Sequence, residues 1–215
     1  MRVLVTAKAP VPGLAKTRLA AVVGDLAAAD LAAAGLLDTL EASRATGAEC
    51  LVALTGDMSR ACRGEEIRRA LQDWTVLWQR ADAFDERLAN AHLDCGDGSL
   101  IQIGMDTPQV TPDMLTQAGQ ALEHHDTVLG PADDGGWWVF GRHEAAAATA
   151  LVGVPMSTSQ TCEHTRRALV SRGLGVRMLH SLRDVDLVAD AEAVARAAPQ
   201  TRFARAWAAG HEARA

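Results

Sequence analysis

Residues 2–19 read RVLVTAKAPVPGLAKTRL, a short apolar run that leads directly into a loop of prolines, glycine and cations. The β-branched run Arg2–Thr6 predicts a buried strand, and the Pro/Gly segment after it predicts a rigid loop. A helix that begins near Lys16 would direct backbone N–H groups towards an anion. The spacing matches neither a Walker P-loop nor a Rossmann glycine motif. We therefore expect an anion-binding loop of another kind after the first strand.

The cations of this loop indicate which anion it binds. The chain has 21 lysines and arginines, but its only two lysines, Lys8 and Lys16, both lie in this segment. A compact ammonium is common in phosphate sites. We predict that Lys8, Gly13, Lys16, Thr17 and Arg18 bind the phosphates of a nucleotide. A solvated loop with surface cations is the alternative interpretation.

Apolar strands alternate with helices along the rest of the chain. This order predicts an α/β fold with a largely parallel sheet, helices on both faces and a single domain over residues 1–215. Further strands are predicted at Glu49–Thr55, Thr75–Gln79, Ser99–Gly104, Thr127–Gly130, Trp137–Phe140 and Val176–Leu179. Helices are predicted at Leu26–Thr46, Ser59–Leu71, Phe84–Asp94, Pro112–His124, Ser159–Arg172, Asp190–Arg196 and Arg202–Ala209.

Composition and charge exclude several classes of protein. The net charge is −6 and the pI is about 5.6, so no bulk attraction for nucleic acid is expected. Acidic residues and Gly35 interrupt the apolar region Leu26–Leu40, which argues against a membrane span. The same Ala-rich helix is suited to packing against the sheet or against a second copy of the chain in a homodimer. The four cysteines show no CxxC spacing, which favours free thiols in a cytoplasmic protein.

Carboxylates follow two other predicted strands. Asp106 ends the run Ile101–Met105, where it is suited to hold Mg²⁺ (or Mn²⁺) beside a nucleotide's phosphates. An Asx turn or helix cap before Pro108 explains Asp106 equally well. Asp184 and Asp186 are weaker candidates for a second metal ligand.

The segment Asp133-Asp134-Gly135-Gly136-Trp137-Trp138 places carboxylates, glycines and aromatic rings together. The glycines allow close approach of backbone to a ligand, and a tryptophan there is suited to stack on a base or sugar. A β-hairpin turn without a function is the alternative. Thr158 lies in a polar loop that either contacts an acceptor or caps the next helix through Ser159.

Parallel strands bring their carboxyl ends to one edge of the sheet, so these clusters should face a single crevice. The chain shows no activated serine or cysteine nucleophile. Direct displacement at a phosphate or an anomeric carbon is therefore expected, with Asp106 and Asp134 as catalytic residues.

Four segments together resemble a known family. AKAPVPGLAKTRL, IGMDTPQVT, LGPADDGGWWVFG and DVDLVAD, in this order, are similar to a bacterial family of uncharacterised glycosyltransferase-like proteins, some assigned to arsenosugar biosynthesis. The resemblance implies the GT-A (nucleotide-diphospho-sugar transferase) fold, a three-layer α/β/α architecture, and a relationship to 2-phospho-L-lactate guanylyltransferase and molybdenum cofactor guanylyltransferase.

The resemblance also implies site roles. It places Lys8, Lys16, Thr17 and Arg18 on the nucleotide phosphates, Asp106 on the metal, and Asp133–Gly136 on the acceptor side. Three departures affect the acceptor side. Thr107 stands where the family usually has cysteine, the tryptophan pair 137–138 replaces tyrosines, and Met156 replaces a tryptophan.

Three functions follow as expectations. The favoured one is an Mg²⁺-dependent glycosyltransferase that uses a nucleotide-diphospho-sugar donor and a small-molecule acceptor. The second is a guanylyltransferase-like nucleotidyltransferase that acts on a small phosphorylated acceptor. The third is a nucleotide-binding protein without catalytic activity.

Overall fold

The computed structural model describes residues 1–212. This part of the chain contains seven strands and eight α-helices, which are joined by loops. The strands are β1 (Arg2–Lys8), β2 (Glu49–Thr55), β3 (Thr75–Trp78), β4 (Leu100–Ile103), β5 (Thr127–Pro131), β6 (Trp137–Arg142) and β7 (Val176–Met178). The helices are α1 (Thr17–Val23), α2 (Asp25–Ala45), α3 (Gly64–Ala70), α4 (Phe84–Cys95), α5 (Pro112–Leu122), α6 (Thr161–Ser171), α7 (Val188–Ala197) and α8 (Arg202–Glu212). Short 3-10 helices span Met58–Arg60 and Ala145–Leu151.

The strands form one sheet in the order β3-β2-β1-β4-β6-β5-β7. Strand β6 is antiparallel to both β4 and β5, and the other neighbouring pairs are parallel. This arrangement confirms the predicted α/β architecture with a mostly parallel sheet. Because β6 runs in the opposite direction, its first residues lie where β4 and β5 end, with Val139 opposite Ile103 and Trp137 opposite Pro131.

The period of two in β1 sorts its side chains between the two helical layers. Val3, Val5 and Ala7 are buried with residues of α2, α3 and α5 on one face. Leu4 is buried with residues of α4 on the other. The central strand is thus covered on both sides, as is usual for parallel sheets.

Helix α2 packs very close to the segment that follows β4. A Cβ atom on Gly35 would lie 3.2 Å from the carbonyl oxygen of Met105, so the absence of a side chain permits this approach. The buried carboxylate of Asp38, also on α2, accepts hydrogen bonds of 2.9 Å from the N–H groups of Arg202 and Phe203. Helix α8 of the same chain therefore covers part of α2. Helix α2 is the Ala-rich helix for which the sequence allowed packing against the sheet or against a second copy of the chain.

Helix α1 begins at Thr17, which confirms the helix start predicted near Lys16. Other helix boundaries differ from the predictions. Helix α6 begins at Thr161, so the predicted capping by Ser159 is wrong, and no side chain caps this end. Asp190 is the third residue of its helix, and its carboxylate accepts the Leu187 N–H at 2.9 Å.

Cys50, Cys62, Cys95 and Cys162 are free thiols, as predicted. Within residues 1–212, no helix has both the length and the apolar character that crossing a membrane requires.

Candidate active site

The loop after β1 is closed by its own backbone hydrogen bonds and brings its cations to the sheet edge. Val11 is buried, and its carbonyl accepts the N–H groups of Leu14 and Ala15 at 3.0 and 3.1 Å. Gly13 has a φ of +78°, a left-handed conformation that glycine adopts without strain. Lys8 is exposed, and its ammonium donates to the Leu14 carbonyl at 3.1 Å.

Lys16 turns away from solvent towards carboxylates. Its side chain is only 9% exposed, and Nζ lies 2.5 Å from Oδ1 of Asp106 and 3.5 Å from Oδ1 of Asp186. Nζ also donates to the backbone carbonyl of Val185. Burial alone would lower the pKa of Lys16, but the neighbouring carboxylates, Asp106 foremost, raise it above its ordinary value. Lys16 is therefore a charged link between three segments of the chain.

The exposed residues of the loop complete a cationic cavity. Arg18 is 68% exposed, and its guanidinium lies 3.2 Å from the second carboxylate oxygen of Asp186. Thr17 is exposed beside it. Lys8, Lys16, Thr17, Arg18, Met105, Asp106 and Asp186 are among the residues that line this first cavity.

Three carboxylates meet next to this cavity. Asp134, Asp184 and Asp186 place one oxygen each within 4.8 Å of one another, the one such group found among the described residues. Burial, followed by repulsion from Asp134 and Asp186, raises the pKa of Asp184 to about 6. Hard oxygen donors crowded in this way are the ligands that Mg²⁺ and Mn²⁺ prefer, and a divalent cation would offset their repulsion. These residues therefore fit the metal ion expected from the sequence.

The metal was predicted at Asp106, which is not a member of this group of three. Asp106 is paired with Lys16 instead, and its role as a metal ligand stays a prediction. Asp184 and Asp186 were the weaker candidates in the sequence, and they lie about 50 residues beyond Asp134 along the chain. The periodicity of the sequence reports on neighbouring residues, so it does not show that these two carboxylates lie close to Asp134 in the fold.

A second cavity opens on the other side of Asp106. It lies at the ends of β1 and β4 and the start of β6, beside the first turn of α4. Its lining combines apolar, hydroxyl-bearing and acidic side chains: Thr6, Phe84, Leu88, Gln102, Asp106, Thr107, Asp134, Trp137, Trp138, Met156, Ser157, Thr161 and Asp184. Asp106 lines both cavities, so they meet at this residue.

Of the residues predicted for the acceptor side, Gly136 and Trp137 line the second cavity. Asp133 does not, and its carboxylate accepts from the Ser181 hydroxyl at 2.7 Å and lies 3.3 Å from Arg183 Nε. Gly135 and Thr158 are also outside the lining. A Cβ on Gly135 would lie 2.1 Å from the Ser159 carbonyl oxygen, so this glycine permits a close backbone contact.

Gln102 was not predicted as a site residue, although it interrupts an otherwise apolar strand. It is 1% exposed, and its amide donates to the Thr6 hydroxyl at 3.1 Å. Its carbonyl oxygen lies 2.7 Å from Nε2 of His92. Arg142 in turn donates through Nε to Nδ1 of His92 at 3.1 Å, so the ring carries its proton on Nε2. A polar residue within a buried strand was the signal that would have identified Gln102.

Comparisons with known proteins agree with this architecture. The model of a family described as "Uncharacterized protein conserved in bacteria (DUF2064)" matches residues 37–158, more than half of the chain. No curated protein matches the sequence significantly.

Among solved structures, a candidate nucleotide-diphospho-sugar transferase of Desulfovibrio desulfuricans G20 is similar over 92% of this chain and 87% of its own, with a TM-score of 0.80 and 27% identity. CMP:2-keto-3-deoxy-manno-octonic acid synthetase in complex with CTP is similar over 90% and 96%, with a TM-score of 0.53 and 14% identity. Rv0371C of Mycobacterium tuberculosis H37Rv in complex with manganese is similar over 90% and 97%, with a TM-score of 0.53 and 17% identity. The fold is thus that of the nucleotide-diphospho-sugar transferases.

Proposed function

The chain belongs to the bacterial protein family DUF2064, and we propose that it is a metal-dependent glycosyltransferase with a nucleotide-diphospho-sugar donor. The observation that carries the proposal is the pair of cavities that meet at Asp106. One is lined by Lys8, Lys16 and Arg18, and the other by tryptophan, hydroxyl and carboxylate side chains. Cations suit a diphosphate, and an aromatic wall with hydroxyls suits a sugar or its acceptor.

The residues at the junction have distinct roles in this proposal. Lys8 and Arg18 bind the diphosphate from the solvent side of the loop. Lys16 holds Asp106 in place at the boundary between the cavities. Asp134, Asp184 and Asp186 would hold Mg²⁺ or Mn²⁺, and the chemistry supplied there is neutralisation of charge on the departing diphosphate.

Transfer would then proceed by direct displacement. A hydroxyl oxygen of the acceptor bonds to the anomeric carbon while the bond from that carbon to the diphosphate breaks. The hydroxyl proton passes to the carboxylate oxygen of Asp134 that does not hold the cation, because Asp134 also lines the second cavity. The nucleoside diphosphate leaves with the bonding electron pair.

Binding is tested first. Thermal shift with UDP-, GDP- and ADP-sugars, GTP and CTP, each with and without Mg²⁺, should show metal-dependent stabilisation by at least one nucleotide. Lys8→Ala and Arg18→Ala should weaken that binding about tenfold each. Arg177→Ala, an exposed cation on β7, is the matched control and should leave it unchanged. No stabilisation by any nucleotide would refute the proposal.

The reaction type is tested by its products. Incubation of the stabilising nucleotide with Mg²⁺ and a panel of acceptors should release a nucleoside diphosphate, measured by chromatography and phosphorus NMR. Release of inorganic pyrophosphate from GTP or CTP would identify nucleotidyl transfer instead. Binding without any product would indicate a non-catalytic protein.

A further inference from the structure

The second cavity differs sharply in charge from the first. Its ionisable lining residues are Asp106, Asp134 and Asp184, and none of the described residues in the lining is a lysine, arginine or histidine. The first cavity, by contrast, is lined by three cations, Lys8, Lys16 and Arg18, together with the carboxylates of Asp106 and Asp186. A phosphate or carboxylate in the second cavity would face like charges without a cationic partner.

A bound divalent cation does not reverse this contrast. At Asp134, Asp184 and Asp186 it would offset two of three negative charges, and in the proposed function its remaining coordination positions are taken by the diphosphate. The ammonium of Lys16 is already paired with Asp106. The second cavity therefore keeps no excess of positive charge for an anionic group.

Two buried polar atoms of the lining have no hydrogen-bond partner among the described residues. They are the hydroxyl of Thr107, a residue that is 3% exposed, and the indole N–H of Trp137. Buried polar groups in folded proteins are nearly always paired with protein, water or a ligand, and a molecule bound in the cavity would supply the partner that these two atoms lack. The indole N–H requires an acceptor atom, which a hydroxyl oxygen provides and an ammonium group does not.

The remaining wall is apolar. Phe84, Leu88 and Met156 line the cavity together with the ring of Trp137. The C–H face of a sugar ring is the kind of surface that flat aromatic and aliphatic side chains cover, while its hydroxyls reach polar groups at the rim.

We propose that the second cavity binds an uncharged, hydroxyl-bearing ring and rejects its phosphorylated counterpart, with Thr107 and Trp137 as the specificity-determining residues. The assignment rests on the proposed function. It restricts the range of substrates, because a reactant that carries a phosphate would not bind in this cavity. The ring is either the transferred sugar or the acceptor, and the shared chemistry is that of a neutral sugar.

The test uses free sugars and inorganic pyrophosphate as separate probes of the two cavities. Saturation-transfer NMR is recorded with glucose, galactose, mannose and N-acetylglucosamine and with their 6-phosphates, in Mg²⁺, with and without pyrophosphate. At least one uncharged sugar should bind, at least tenfold more tightly than its 6-phosphate. The position of the ring is then found by competition with a bound nucleotide-sugar. A free sugar that removes the saturation-transfer signals of the nucleotide-sugar's sugar ring occupies the donor position. A free sugar that binds while those signals remain occupies the acceptor position.

Variants locate the interaction. Thr107→Val removes one unpaired polar atom and keeps the side chain's volume, and Trp137→Phe removes the other and keeps an aromatic ring in the wall. Each should weaken sugar binding about five- to tenfold. Pyrophosphate binding should be unchanged in both. Trp78→Phe is the matched control, because Trp78 lies exposed on the edge strand β3, outside the cavity.

Two outcomes would overturn the inference: equal or tighter binding of the 6-phosphates, or no binding of any uncharged sugar in the panel. Unchanged sugar affinity in both variants would overturn the roles of Thr107 and Trp137. If pyrophosphate fails to bind with Mg²⁺ while an uncharged sugar binds, the proposed function fails and the assignment of the cavity stands.

Discussion

The ammonium of Lys16 lies 2.5 Å from a carboxylate oxygen of Asp106, although 90 residues separate the two along the chain. The same ammonium also donates to the carbonyl of Val185. Lys16 thus joins the loop after β1 to the end of β4 and to the segment before α7. In this position it holds together the junction of the two cavities, and its predicted contact with a phosphate stays a prediction.

A double-mutant cycle tests this link. Lys16→Met and Asp106→Asn should each lower the free energy of unfolding by about 1–2 kcal/mol, a modest value because Asp106 is half exposed. The double variant should lose less than the sum, with a coupling energy of about 1 kcal/mol from urea unfolding. Strictly additive losses would show that the two residues do not interact in solution.

Removal of one carboxylate tests the acidic group of three. In Asp184→Asn the repulsion from Asp134 and Asp186 is lost, so the metal-free protein should melt about 2–4 °C higher. We expect Mg²⁺ or Mn²⁺ to raise the Tm of the wild type, and this rise should be absent in the variant. Asp133→Asn alters a neighbouring carboxylate that pairs with Arg183, and it should keep the metal-dependent rise. Loss of that rise in both variants would argue against this assignment of ligands.

Because the ring of His92 is buried, we expect the free energy of unfolding to depend on pH. Burial, followed by the charge of Arg142, lowers the pKa of His92 to about 3 in the folded state. An unfolded chain takes up a proton near pH 6.5, so this residue's contribution to stability is constant above that pH. The contribution of His92 to the free energy of unfolding decreases by about 1.4 kcal/mol for each pH unit between pH 6.5 and pH 3.

The difference in unfolding free energy between wild type and His92→Gln isolates this contribution. The variant keeps an amide donor for Gln102 and cannot titrate. The difference should change steadily between pH 6.5 and 4 and be flat between pH 7 and 8. A difference that does not vary with pH would mean that His92 titrates normally in the folded protein.

Gly135 and Gly153 form a matched pair for testing the turn before β6. Both have a positive φ, +92° and +84°, but only at Gly135 would an added Cβ meet backbone, 2.1 Å from the Ser159 carbonyl oxygen. Gly153→Ala should cost about 1 kcal/mol from backbone strain alone. Gly135→Ala should cost at least about 2 kcal/mol more, because the segment before α6 must move. Equal losses would contradict the close contact.

Much of the fold could be predicted because its signals are local. The β-branched run of β1, the Pro/Gly loop and Pro112 at the first turn of α5 each identify an element from neighbouring residues. Boundaries that depend on tertiary contacts were less predictable. The start of α6 is an example, since its preceding backbone is held against Gly135.

The sequence by itself determined the layered α/β architecture and the position of the cationic loop, because strand and helix periodicity and turn residues act over short distances. Tertiary structure alone decided that β6 enters antiparallel between β4 and β5, which brings Trp137 to the edge where those strands end. It also decided the pairing of Lys16 with Asp106 and the separation of a cationic cavity from an acidic, aromatic one. These features depend on the order of strands in the sheet and on the path of the late segment around Asp184, and both are set by packing across the whole chain.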